Sequence, residues 1–220
     1  GTHRLTALVV ASDGKVYAAD AARKQIFKLE DGKLRDIVNN PKLTSFSALA
    51  VSGDGRTLYL ADYALGIFGY DLATGKAFQV AYDQSTLVLG GIVSMQWYDG
   101  TLVVVEDGMV PKRIMRLQLD KDGRKIANAM PLDVAHAGFT ELGASTIAGD
   151  KLYTIVNRQG SLYDEHGVLT GADKLAPTTI FRSNLRFAWG QGGVSGGGST
   201  ECAPDKSGKR KKADIKPGVP

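Results

Sequence analysis

The stretch "DVAHAGFTEL", residues 133–142, places His136 five positions ahead of Glu141. An imidazole and a carboxylate at that spacing could bind a ligand or act as a general acid/base pair. The competing reading is a loop histidine that bonds locally. Asp20 and Asp62 recur in the near-twin stretches "GKVYAADAARKQIFKLEDGK" and "GRTLYLADYALGIFGYDLATGK". They are either one catalytic group written twice or the mark of a repeated unit, because an aspartate at a strand end before a tight turn readily accepts backbone N–H groups. Tyr63 is a rim aromatic suited to ligand contact or to packing between units. Arg113 either presents its guanidinium on a rim or pairs with a neighbouring unit. Ser145 in "LGASTIAG" lacks the Gly-x-Ser-x-Gly setting of an activated serine. The glycine run at 190–199 has no following Gly-Lys-Ser/Thr and reads as a linker rather than a phosphate loop.

Turn signals show which elements must carry these residues. Asp-Gly at 13–14, 54–55 and 99–100, and Gly-Asp at 149–150, each separate two β-rich runs, the strongest short hairpin signal. The first runs are 5–11, 47–52, 93–98 and 142–148, and their partners are 15–20, 57–62, 101–107 and 151–157. Third strands are expected at 25–30, 66–72 and 113–120, and fourth strands at 34–38, 77–82 and 127–132. In the last copy, 161–165 is expected third and 178–185 fourth. Asp20, Asp62, Asp107 and Asn157 close the second strands at intervals of 42, 45 and 50 positions. A four-stranded unit recurring every ~40–50 residues is a β-propeller blade. The expected fold is all-β, a propeller of four-stranded antiparallel blades with four visible in residues 1–189.

Composition narrows the function classes. The chain has 220 residues, 43% of them hydrophobic, and its single cysteine, Cys202, cannot form an internal disulfide framework or a multi-cysteine metal site. No stretch approaches the ~18 apolar residues of a membrane span. Residues 205–220 hold six Lys/Arg against two Asp/Glu, so the remainder carries 21 of each and the net charge of +4 belongs to the end of the chain. Residues 190–220 are therefore expected to be a flexible Gly/Ser-rich and basic tail, and the folded part offers no nucleic-acid surface. The start at Gly1 without an initiating methionine suggests a processed or truncated chain. The compartment stays open, with periplasmic and secreted locations both compatible.

Residues 49–76, "LAVSGDGRTLYLADYALGIFGYDLATGK", resemble a blade of the SMP-30/gluconolactonase/LRE-like and NHL-type six-bladed propellers, and residues 99–126 are similar to SMP-30-like bacterial proteins. The resemblance spans about residues 5–187 and implies a six-bladed ring incomplete at its N-terminal side. In the lactonases of that family a divalent ion sits at the mouth of the central channel, held by Glu, Asn and Asp at inner-strand starts. The corresponding places here are Thr6, Ser47 and Ser94, neutral hydroxyls that make a poor cage for a hard cation such as Ca²⁺. Glu141 alone remains a carboxylate at a strand start in this set.

Two functions follow as expectations. The first is a binding scaffold without a cofactor or an intact catalytic metal site, taking a small molecule or a protein at the channel mouth through Thr6, Ser47, Ser94, Tyr63 and Arg113. The second is a metal-dependent hydrolase of the lactonase type, with Glu141 and His136 at the mouth and a divalent cation such as Ca²⁺.

Overall fold

Two-residue Asp-Gly connections demand backbone with positive φ, and Asp99 (φ 45°) with Gly100 (φ 72°) supplies it, closing a hairpin in which Tyr98 faces Thr101. At the two earlier turns the aspartate side chain helps: Asp13 Oδ1 accepts the Lys15 amide and Asp54 Oδ1 the Arg56 amide. In a computed structural model that describes residues 3–39, 43, 45–164 and 166–186, these hairpins grow into four antiparallel sheets. The expected tail at 190–220 lies outside the described residues.

The first sheet contains β1 (Leu5–Val10), β2 (Val16–Asp20), β3 (Gln25–Glu30) and β4 (Lys33–Asn39) in sequential order. The second contains β5 (Phe46–Val51), β6 (Thr57–Asp62), β7 (Gly66–Asp71) and β8 (Ala77–Gln79), and the third β9 (Ile92–Tyr98), β10 (Thr101–Glu106), β11 (Arg113–Leu119) and β12 (Ile126–Val134). The fourth has three strands among the described residues: β13 (Ser145–Ala148), β14 (Lys151–Ile155) and β15 (Ile180–Asn184). Innermost strands of successive sheets lie against one another, β1 on β5, β5 on β9 and β9 on β13. The fold is a β-propeller arrangement of four antiparallel blades. Among the described residues no helix is long and apolar enough to cross a membrane.

The core is a series of layers between blades. Tyr17, Ala19 and Ile26 pack on Leu49, Leu58 and Leu60 between blades 1 and 2. Tyr59, Ala61 and Ile67 meet Met95, Leu102 and Leu117 between blades 2 and 3. Val103, Val105 and Ile114 meet Leu152 and Phe181 between blades 3 and 4. Each fully buried aliphatic side chain contributes about 1.5–3 kcal/mol, so every blade is stabilised mainly by its neighbours.

The last blade differs from the strand assignment expected of it. Residues 160–162 form a 3₁₀ turn, not a third strand, and β15 pairs directly with β14. Asn157 explains this: its Oδ1 accepts the Thr179 amide at 2.6 Å and its Nδ2 donates to the Pro177 carbonyl at 2.8 Å. That clamp lays the returning chain beside β14.

Candidate functional site

One face of the propeller collects the starts of the inner strands and the ends of the second strands. β2, β6 and β10 end there in three carboxylates, Asp20, Asp62 and Glu106, all fully buried. The registers make them equivalent, since Asp20 faces Leu5, Asp62 faces Phe46 and Glu106 faces Ile92. The sequence spacing pointed to Asp107 and Asn157 for the third and fourth places; the pairing puts Glu106 and then Val156 there, one residue earlier. Val-Glu-Asp offers two adjacent carboxylates, and only cross-strand register chooses between them.

Asp20 accepts the amides of Arg4 (3.0 Å), Ala22 (2.9 Å) and Arg23 (3.2 Å), and its Oδ2 lies 2.6 Å from His3 Nδ1. Burial works to raise its pKa, but these bonds together outweigh it and hold the carboxyl below the usual aspartate value. Asp62 repeats the pattern with the amides of Ser45 (2.9 Å), Ala64 (3.0 Å) and Leu65 (3.1 Å). Both aspartates tie the inner-strand start to the turn that follows the second strand. Glu106 is held otherwise: Arg113 Nε donates to Oε2 at 2.5 Å and the Gly90 amide reaches Oε1 at 3.4 Å. Burial pushes its pKa up despite the arginine.

Thr6, Ser47 and Ser94 occupy less uniform positions than their sequence context implies. Thr6 and Ser47 are the extra residues of β-bulges at the starts of β1 and β5; in β9 the extra residue is Val93, and Ser94 falls one place later. All three hydroxyls are engaged. Thr6 Oγ1 donates to the Phe46 carbonyl of blade 2 at 2.7 Å, and Ser47 Oγ donates to the Ala61 carbonyl at 3.1 Å. Ser94 Oγ lies 2.8 Å from Ser145 Oγ of blade 4 and accepts the Ser145 amide at 3.2 Å. Ser145 is thus part of an inter-blade tie.

His136 and Glu141 make no hydrogen bond to one another. His136 Nδ1 accepts the Gly138 amide at 3.1 Å, and its ring packs on Phe181 and Phe139 with centroids 4.7 and 5.4 Å away. Glu141 Oε1 accepts both Nη2 (2.6 Å) and Nε (2.9 Å) of Arg158, and Oε2 accepts the Gly160 amide at 2.8 Å. Arg113, besides Glu106, donates through Nη2 to the Val88 carbonyl at 2.6 Å. Lys112 pairs with Asp107, which also accepts the Leu142 amide of the next blade at 2.7 Å. Tyr63 is 41% exposed, while its carbonyl accepts the Gly91 amide at 2.7 Å. A side chain at Gly108 would collide with its hydroxyl. The face therefore carries an accessible tyrosine beside three ion pairs, Glu106–Arg113, Asp107–Lys112 and Glu141–Arg158. Glu106 and the Asp107–Lys112 pair escaped sequence reading, although the conspicuous "VED" triplet pointed to that spot.

No sequence model of a known family matches the chain, and no curated protein matches it in sequence. Solved structures do share its fold. Hydrazine synthase from Kuenenia stuttgartiensis superposes with a TM-score of 0.56 at 12% identity, over 82% of this chain and 46% of that one. Virginiamycin B lyase from Staphylococcus aureus gives 0.53 at 16% identity, over 84% and 56%. A chain of a nidogen/laminin complex gives 0.53 at 14% identity, over 82% and 76%. The chain thus spans about half the length of the first two. At such identities the likeness shows the propeller fold alone, shared by enzymes and by binding proteins.

Proposed function

We propose that this chain is a binding scaffold of SMP-30-like propeller type, taking a small molecule or a protein at the channel mouth, with Tyr63 and the Arg113, Lys112 and Arg158 ion pairs as its contact groups. The observation that carries the reading is the use of Thr6, Ser47 and Ser94 as structural ties. A Ca²⁺ site gathers about 6–8 oxygens with carboxylates among them. Here two bulge hydroxyls serve backbone carbonyls, the third bulge position is Val93, and both oxygens of Glu141 already accept hydrogen bonds. Those residues do not fit a catalytic divalent ion, and no cofactor is assigned.

The rival reading is a metal-dependent lactonase working through Glu141 and His136. A lactone-hydrolysis assay with Ca²⁺ or Mn²⁺ supplied separates the two. The scaffold reading expects the background rate, unchanged in Glu141→Gln. Metal-dependent turnover that disappears in Glu141→Gln would establish the hydrolase.

A further inference from the structure

The loops of blades 2 and 3 differ sharply between the two faces of the propeller. On the face away from the mouth, the turns at 52–56, 72–76, 99–100 and 120–125 expose polar and charged side chains and no large apolar one. On the mouth face, segments 63–65, 84–91 and 108–111 contain no charged residue, in a chain of which 23% is charged. Every large apolar side chain that these two blades expose among the described residues is at this end. Tyr63 and Leu65 follow β6, Val88 precedes β9, Val110 lies between β10 and β11, and Val134 closes β12. Val110 is 97% exposed and stands clear of the surface. Blades 1 and 4 flank the pair, β1 on β5 and β13 on β9, so the patch lies away from both outer blades' free flanks.

The three loops are seated on one another. The Tyr63 carbonyl accepts the Gly91 amide at 2.7 Å, and the Gly91 carbonyl accepts the amides of Asp107 (2.9 Å) and Gly108 (3.2 Å). Only glycine permits this approach, since a Cβ on Gly91 would lie 2.3 Å from Gly108 Cα. A Cβ on Gly90 would lie 3.9 Å from Met109 Sδ, which places Met109 within the patch. Arg113 fixes the remaining side through the Val88 carbonyl. The apolar surface is thus preorganised, which lowers the ordering cost of binding. Both cations at its margin are matched, Arg113 by Glu106 and Lys112 by Asp107. An uncharged centre carrying Tyr and Met, bordered by Arg and ion pairs, has the make-up of a protein interface. Small-molecule sites are concave, whereas Val88 and Val110 project outward. Anionic lipid surfaces are met by basic clusters, and here each cation already has its own carboxylate.

We propose that two copies of this chain pair mouth to mouth, with Tyr63, Leu65, Val88 and Val110 of each copy at the centre of the contact. The pairing rests on the reading of the mouth as a binding face and makes its protein partner a second copy. A patch without net charge meets its own copy without repulsion, and a two-fold isologous contact is the commonest arrangement of homo-oligomers. Contiguous exposed apolar residues are what such a contact removes from water.

Sedimentation velocity on the 220-residue chain at about 100 µM, well above the micromolar constants of weak specific interfaces, tests the pairing. The wild type is expected to sediment as a dimer. Leu65→Glu and Val110→Glu, in loops of different blades, should each sediment as monomer, because a carboxylate is then buried against the partner. Lys76→Glu, on the face away from the mouth, should remain a dimer. All three side chains are exposed, and circular dichroism checks that the variants fold. A monomeric wild type, a dimer that persists in either mouth variant, or a dimer lost in Lys76→Glu would overturn the proposal. A monomeric wild type that floats with phosphatidylcholine vesicles, while Val110→Glu does not, would overturn it and give the face to a lipid surface. The lactone-hydrolysis assay on the same wild-type sample reports separately on the scaffold reading: a monomer without metal-dependent turnover removes the pairing alone.

Discussion

Asp20 and Asp62, 42 positions apart, hold the same backbone amides in successive blades. Asp20 Oδ1 accepts from residues two and three further on, Ala22 and Arg23, and Asp62 Oδ1 accepts from Ala64 and Leu65. Each also reaches the amide just before its own inner strand, Arg4 in one case and Ser45 in the other. A carboxylate that satisfies three main-chain donors is committed to the blade, which makes both residues supports of the mouth.

Asp62→Ala removes the common partner of three part-buried amides, at a cost of about 1–3 kcal/mol in all. Chemical denaturation should show a destabilisation of that order. Any ligand bound by the wild type should still bind the folded fraction; binding lost at unchanged stability would instead make Asp62 a contact group.

Asp20 supplies a pH dependence. Its folded pKa lies below that of an unfolded aspartate, about 3.9. The stabilisation is therefore present above the unfolded value and lost as pH falls through the folded one. Melting temperatures between about pH 2 and 6 should fall less steeply with acid for Asp20→Asn than for the wild type. Parallel curves would contradict the assignment.

Glu106 has the opposite sign. Burial raises its pKa, so its contribution is complete below the unfolded glutamate value and declines as pH rises through the folded one. Arg113→Ala removes the cation that offsets this and leaves a buried carboxylate unpaired, at a cost of about 3–5 kcal/mol near neutrality. Denaturation at pH 7 and at pH 4 should show a clearly smaller loss in acid, where Glu106 protonates. An equal loss at both pH values would mean that Arg113 acts by packing alone.

The hairpins were legible because their cause is local: Asp-Gly backbone preference and alternating apolar residues act within a dozen positions. The fourth blade was not, because "SLYDE" has strand-like composition while its placement depends on Asn157 gripping Thr179 across 22 positions. The carboxylate at the end of β10 needed the register of Glu106 against Arg113. The mouth was least legible of all. Whether Thr6 or Ser94 is available to a ligand depends on Phe46 and Ser145, 40 and 51 positions away in the neighbouring blade.

Calorimetric titration with Ca²⁺, Mn²⁺ and Zn²⁺ decides whether the mouth of the propeller serves binding alone, as proposed, or holds a catalytic divalent metal. The wild type and Glu141→Gln should behave alike, with no tight site in either. Submicromolar affinity in the wild type that vanishes in Glu141→Gln would contradict the account and make the chain a metal-dependent hydrolase candidate.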